Sequence, residues 1–197
     1  MHGPLTLIKT QVGTVDYRLA QQLGDAGVAA VLNACASHGW VGEYVVKDFG
    51  EDLVFQTNFN GVMDPFRIYG QVKSYSNKPK VIRTSRSDLL KWTLMGELLV
   101  IFAYVRNENM IYYFKANERI TFYQIWQRSQ KTIQIPLKDF LVLTPKDIMI
   151  LAWLSRRRGL NFLFSEFRRD GNPLICVALK LRWCIRVAKK KYWLDFF

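Results

Sequence analysis

The sequence predicts an α/β fold, a mixed β-sheet flanked by helices. Three observations carry that expectation. Leu98–Val105 is an unbroken apolar run of strand length, as a central strand covered on both faces would need. Residues 66–74 alternate, with Ile68 and Val72 on one side and Gln71 and Lys73 on the other. Two segments, one from Asp16 and one from Thr144, repeat apolar residues at helical spacing.

In chain order, residues 1–15 read as an extended lead-in with an edge strand at 5–8. A helix follows, with Asp16 as N-cap, Leu19, Leu23, Ala26, Ala30 and Ala34 as its apolar stripe, and Gly39 as its C-cap. His38 at its end complements the helix dipole. Residues 42–47 form the first core strand, with Glu43 turned to solvent. Asp48, ahead of Gly50, has two readings: it bonds the turn backbone, or it supplies a second carboxylate near Asp52. Glu51 is expected to be exposed. Residues 52–56 and 66–74 are neighbouring strands, and the polar residues 58–65 between them suit a hairpin connection. After Lys73 the chain is polar and basic, and is read as a loop carrying Lys78, Lys80, Arg83 and Arg86.

Ser85 or Ser87 caps the next helix, which runs through Leu89, Leu90 and Trp92 to about Met95. After the central apolar strand, Asn107 to Asn109 make a turn and residues 110–115 return as a strand. Residues 118–129 read as one helix, and residues 132–137 as a short strand whose Pro136 suggests an edge. Thr144 then caps a helix with Pro145 at its first position and Asp147 in its first turn. Ile148, Leu151 and either Trp153 or Leu154 form its buried side, Arg156, Arg157 and Arg158 close it, and Gly159 ends it. Residues 161–167 and the alternating 179–187 are expected to pair as strands.

The 197 residues fit one domain with an appendage: a core over 1–140 and a basic extension over 141–197. The net charge is +12 and the pI about 9.8, a balance that favours a polyanionic partner. The charge is concentrated, with eleven Lys and Arg against three acids over residues 155–197. Lys189, Lys190 and Lys191, beside Tyr192 and Trp193, combine phosphate-binding and base-stacking groups. Three cysteines without a CxxC pattern argue against a disulfide framework and fit a reducing cytoplasm. The first residues lack the pattern of a secretory signal, and no apolar stretch nears the ~20 residues of a membrane span. Two histidines make a zinc hydrolase a poor fit, and neither a Walker A loop nor a G-x-G-x-x-G run is present, so no small-molecule cofactor is expected.

Antiparallel pairing of the strands on either side of residues 58–65 would bring Asp52 close to Gln71 and Lys73. A hard cation such as magnesium takes oxygen ligands and keeps several waters. Asp52 would bind it directly, the Gln71 carbonyl would add a neutral oxygen, and Lys73 would orient water or offset charge on a phosphate oxygen.

Asp52 followed by Gln71-Val72-Lys73 resembles the core of the PD-(D/E)XK nucleases, in the branch where Gln precedes the Lys, as in Mrr-like restriction enzymes. The longer pattern is similar to an uncharacterised bacterial family with this core, which reads D-(Y/F)-G-x-D, then Q-V-K-S, then a helix with Trp and a strand like L-V-I-F. Here the matching residues are Asp48-Phe49-Gly50-Glu51-Asp52, Gln71-Val72-Lys73-Ser74, Lys91-Trp92 and Leu99-Val100-Ile101-Phe102. The likeness covers roughly residues 16–114. It implies a restriction-endonuclease-like sheet and a magnesium- or manganese-dependent endonuclease acting on DNA, with Asp52, Gln71 and Lys73 at the site. Many members place a Glu on the first helix, whereas the helix here offers Asp25 and no Glu. Asp25, Asp48 and Glu43 are therefore the candidates for a further carboxylate. Cutting both strands of a duplex would ask for two sites, hence a homodimer. The rival expectation is a catalytically inactive nucleic-acid-binding protein on the same fold.

Overall fold

The computed structural model describes residues 9–45, 50–59, 62–94 and 96–169. Helix α1 (Lys9–Ala36) leads into strands β1 (Val41–Tyr44), β2 (Leu53–Phe59), β3 (Val62–Tyr75) and β4 (Val81–Ser85). Helix α2 (Arg86–Thr93), strands β5 (Leu98–Val105) and β6 (Met110–Lys115), and the short helices α3 (Ala116–Arg119) and α4 (Phe122–Trp126) follow. Strands β7 (Thr132–Pro136) and β8 (Leu141–Val142) precede helix α5 (Pro145–Arg169). Six strands form one mixed sheet in the order β1-β2-β3-β5-β6-β8, in which β3 and β5 are parallel and the other neighbours antiparallel. β4 and β7 pair separately as a two-stranded ribbon. This is the expected class, a mixed sheet flanked by helices, consistent with a restriction-endonuclease-like α/β fold.

All eight residues of β5 are buried, because the strand is covered on both faces. Leu98, Val100 and Phe102 pack with Leu53, Phe55 and Ile68 beneath Val31 and Cys35 of α1 and Ile148, Leu151 and Ala152 of α5. Leu99, Ile101 and Ala103 face the opposite layer, where Leu89 and Trp92 of α2, Ile125 of α4 and Ile82, Ile133 and Ile135 of the ribbon close over them. Gly27 lets α1 approach β3. A Cβ there would stand 2.0 Å from Ser74 Oγ and 3.3 Å from Tyr104 Cβ. Cys35 lies in this layer as a core thiol, its pKa pushed up to about 12 by burial.

Several expectations are corrected. α1 begins at Lys9, so Asp16 lies inside a helix rather than capping one. Gly39 does end the chain's turn out of α1, at φ 77°, and His38 Nδ1 lies 3.1 Å from the Ala34 carbonyl. The β2–β3 hairpin is longer than expected: pairing continues to Phe59↔Val62, with an irregularity between Gln56 and Asn58. Residues 81–85 are a strand, not loop, since Ile82 and Thr84 turn inward against β7 while Arg83 faces out. The span 118–129 is two short helices, α3 and α4, rather than one. α5 runs through Gly159 to Arg169, so residues 161–167 are helical. The chain from 170 onward, including the expected strand 179–187, lies outside the described residues, as do 1–8 with their expected edge strand.

α5 is tied to the hairpin by a buried ion pair. Arg156 Nε donates to Asp64 Oδ2 at 2.7 Å, and Asp64 is 1% exposed. Next to it, Ser155 Oγ donates to the Arg67 carbonyl at 3.2 Å. Burial pushes the Asp64 carboxyl above its ordinary value, against the pull of Arg156 and of the Phe66 N–H. A carboxyl raised in the folded state contributes stability that is present below its unfolded pKa and is lost as pH rises through the folded value. Arg156→Ala removes the main counterweight and leaves a buried charge uncompensated, at an expected cost of about 3 kcal/mol near neutral pH. Urea denaturation at several pH values checks this. The deficit of the variant should be smallest below about pH 3, where the carboxyl is protonated in both states, and should grow toward neutrality.

Candidate active site

The site forms where β2 begins. The β2–β3 ladder places Leu53 opposite Gly70, and the Asp52 N–H donates to the Gly70 carbonyl at 2.9 Å. The Asp52 carbonyl in turn accepts the Val45 N–H at 3.1 Å. Beyond that point β2 no longer supplies backbone partners. The Asp52 side chain takes over: its Oδ2 accepts the Val72 N–H at 2.6 Å. The carboxylate is thereby seated on the one backbone amide that lies between Gln71 and Lys73. The antiparallel hairpin thus sets the Asp52 carboxylate against the backbone of the Gln71–Lys73 segment.

Gln71 is 5% exposed, and both ends of its amide are engaged. Its Nε2 donates to the Gly50 carbonyl at 2.8 Å, and its Oε1 accepts the hydroxyl of buried Thr84 at 3.1 Å. The side chain thus joins the turn before β2 to the ribbon strand β4. The Gly50 bond fixes which end of the amide is nitrogen, since a backbone carbonyl can only accept, and the Thr84 hydroxyl then donates to Oε1. Lys73 is half-buried beside Ala103 of β5, and among the described residues it makes no ion pair.

Two acids that were not foreseen as site residues stand close by. Glu51 is 5% exposed, not solvent-facing as expected. Trp92 Nε1 donates to its Oε1 at 2.8 Å, and Lys91 Nζ lies 2.9 Å from the same oxygen. Glu51 therefore latches α2 to the residue preceding Asp52. The resemblance motif already contained Lys91-Trp92, but sequence separation hid that their polar ends converge on Glu51. Asp88, in the first turn of α2, stands against Gly50: a Cβ on Gly50 would lie 2.8 Å from Asp88 Cγ. Gly50 also holds φ 94°, so a glycine there answers both the backbone conformation and the close approach.

The remaining candidates are more dispersed. Glu43 is exposed on β1, paired with Val54, as expected. Asp25 is exposed on α1. Asp48 lies outside the described residues. Among the described residues no group of three or more His, Cys, Asp or Glu could hold a metal ion. The donors that Asp52 and Gln71 offer are all oxygen. Such a set fits a magnesium that relies on one or two protein ligands and completes its shell with waters and substrate phosphate.

Of the expected nucleic-acid contacts, Lys80 and Arg83 are exposed on the segment leading into and along β4. Lys78 is exposed too. Contact with the Tyr112 hydroxyl and the charge of Glu108, 3.9 Å away, raise its pKa. Arg86 is turned inward: its Nε and Nη2 donate to the carbonyls of Ile125 and Trp126 at 3.2 and 2.9 Å, capping the end of α4. Lys189, Lys190 and Lys191 lie outside the described residues. No helix among the described residues is long and apolar enough to cross a membrane.

No family model matches the chain. No curated protein matches it either. Among solved structures it is similar to a bacterial homing endonuclease, I-Ssp6803I, at 18% identity over 64% of this chain and 80% of that one, with a TM-score of 0.33.

The Glu51 latch has a measurable weight. Glu51→Ala leaves the Trp92 Nε1–H and the Lys91 ammonium without their carboxylate, and is expected to lower stability by about 2–3 kcal/mol. Glu51→Gln, which keeps an acceptor for the indole, should lose less. The urea midpoints of the two variants, set against the unaltered chain, check the order.

Proposed function

We propose that the chain is a metal-dependent endonuclease that hydrolyses phosphodiester bonds in DNA, with Asp52, Gln71 and Lys73 as its working residues. The observation that carries this reading is the seating of the Asp52 carboxylate on the Val72 N–H, between a buried amide and a lysine without an ion pair among the described residues. Asp52, with the Gln71 Oε1, would hold magnesium or manganese. The bound ion would supply Lewis acidity toward a phosphate oxygen and an activated water.

The protein's own groups divide the remaining work. The Val72 N–H fixes the orientation of the Asp52 carboxylate, and the Thr84 hydroxyl fixes the Gln71 carbonyl. The Lys73 ammonium offsets the charge that builds on the phosphate during displacement. Glu51, through Trp92 and Lys91, keeps α2 seated behind the site. Lys78, Lys80 and Arg83, with Lys189, Lys190 and Lys191 of the basic extension, would contact the DNA backbone. The site works in the cytoplasm, and a homodimer would bring two such sites to the two strands of a duplex.

A non-catalytic nucleic-acid-binding protein is the second reading. It is favoured by the lack of a three-acid cluster among the described residues and by the engagement of both ends of the Gln71 amide.

Cleavage of supercoiled plasmid and of labelled single and double strands, with magnesium or manganese, separates the two. Asp52→Ala and Lys73→Ala are each expected to slow cleavage by about a hundredfold or more, and a chelator should abolish it. Wild-type protein that binds DNA in a salt-dependent way but cuts under neither metal would establish the binding module instead.

A further inference from the structure

A cleft of about 810 Å³ opens between β6, the α3–α4 segment and β7, and neither Asp52, Gln71 nor Lys73 lines it. Its volume lies within the ~300–1,000 Å³ of small-molecule sites. The lining combines three kinds of group. The bed is apolar, made of the buried Phe114, Ile125, Ile133 and Ile135. The rim carries three exposed cations, Arg119, Arg128 and Lys138, against a single acid, Asp139. Three exposed glutamines, Gln124, Gln127 and Gln134, also line it.

The wall of the cleft is held in place from outside it. Thr121 and Gln124 cap α4 reciprocally: the Thr121 N–H donates to Gln124 Oε1 at 3.0 Å, and the Gln124 N–H donates to Thr121 Oγ1 at 3.4 Å. The oxygen of Gln124 is thus engaged, which leaves its amide nitrogen as the end that can donate. At the other end of α4, the two Arg86 bonds hold the carbonyls of Ile125 and Trp126. The Trp126 side chain, 61% exposed, stands between the lining residues Ile125 and Gln127 in the chain.

We propose that this cleft is a nucleotide-binding pocket that takes one nucleotide unit of a single-stranded nucleic acid. A nucleotide joins a phosphate to a flat group with apolar faces and an edge of alternating donors and acceptors. The three cations meet the phosphate. The isoleucines and Phe114 meet a face of the base, and carboxamides, which both donate and accept, meet its edge. A base of the neighbouring unit can stack on Trp126. The choice of nucleic acid over another anion rests on the proposed function, so the test is run without metal, where cleavage plays no part.

Anisotropy of a fluorescein-labelled ten-residue oligothymidylate is measured in EDTA across a salt series, with thermal melting as the check that each variant folds. Arg128→Ala/Lys138→Ala is expected to weaken binding about tenfold and to reduce the slope of log K against log salt by about 0.7, one single-strand phosphate contact. Trp126→Ala is expected to weaken binding about tenfold with the slope unchanged, because stacking releases no counterions. Thymidine 5′-monophosphate should displace the oligonucleotide at lower concentration than inorganic phosphate. Folded variants that bind like wild type overturn the strand as occupant. If thymidine monophosphate still binds wild type and binds the double variant more weakly, the pocket stands with a free nucleotide as its ligand. Equal competition by inorganic phosphate overturns the base-binding part, and wild-type protein that binds neither probe overturns the whole. None of these outcomes depends on whether the protein cuts DNA.

Discussion

A strand buried along its whole length on both faces has no amphipathic freedom. Leu98–Val105 is such a strand, and every neighbour answers to it. Its even-numbered residues require one helical layer and its odd-numbered residues another, so α1 and the first turns of α5 must lie on one side, and α2, α4 and the ribbon on the other. Parallel pairing with β3 adds a second demand. The chain leaving Tyr75 has to return to the starting end of the sheet before Leu98, and it does so through β4 and α2. That crossover is why Thr84, Asp88, Lys91 and Trp92 all come within reach of the start of β2.

The candidate site is therefore a product of the end of a ladder and the return of a crossover. β2 starts one residue after Asp52, leaving the Val72 N–H of β3 for a side chain to satisfy. An unpaired buried N–H is costly, so the carboxylate has a structural duty in any function the chain performs. The same holds for Gln71, whose amide bridges Gly50 and Thr84. Under the proposed function, chemistry and scaffolding share these residues, and stability and binding have to be measured together when either is changed.

Much of the fold could be read in advance where one period dominated. The continuous run of β5, the alternation around Gln71 and Lys73, and the Thr144-Pro145 helix start each depend on local physics alone. What escaped the sequence depended on partners far along the chain. β4 looked like loop because Lys78, Lys80 and Arg86 flank it and Arg83 lies within it, yet Ile82 and Thr84 gain burial once β7 arrives some fifty residues later. Gly159 looked like a helix end, but a glycine costs only about 1 kcal/mol inside a helix, and α5 continues through it. Glu51 looked exposed because nothing near it in sequence announces the Trp92 indole. The pairing that sets Asp52 beside the Gln71–Lys73 strand was legible because a hairpin is a local event; the Glu51 latch, the setting of Asp88 and the inward turn of Arg86 were not.

The strand order also bears on how the sheet ends. Among the described residues, β1 contributes four residues at one margin and β8 only two at the other. A foreign strand docking there would find few backbone donors and acceptors to complete, and at β1 it would meet the charged Glu43. Short, interrupted margins are a common guard against sheet-to-sheet aggregation. With its most continuous apolar strand two places in from the nearer edge and its margins cut short, the sheet keeps its most adhesive segment from acting as a template for amyloid-like growth.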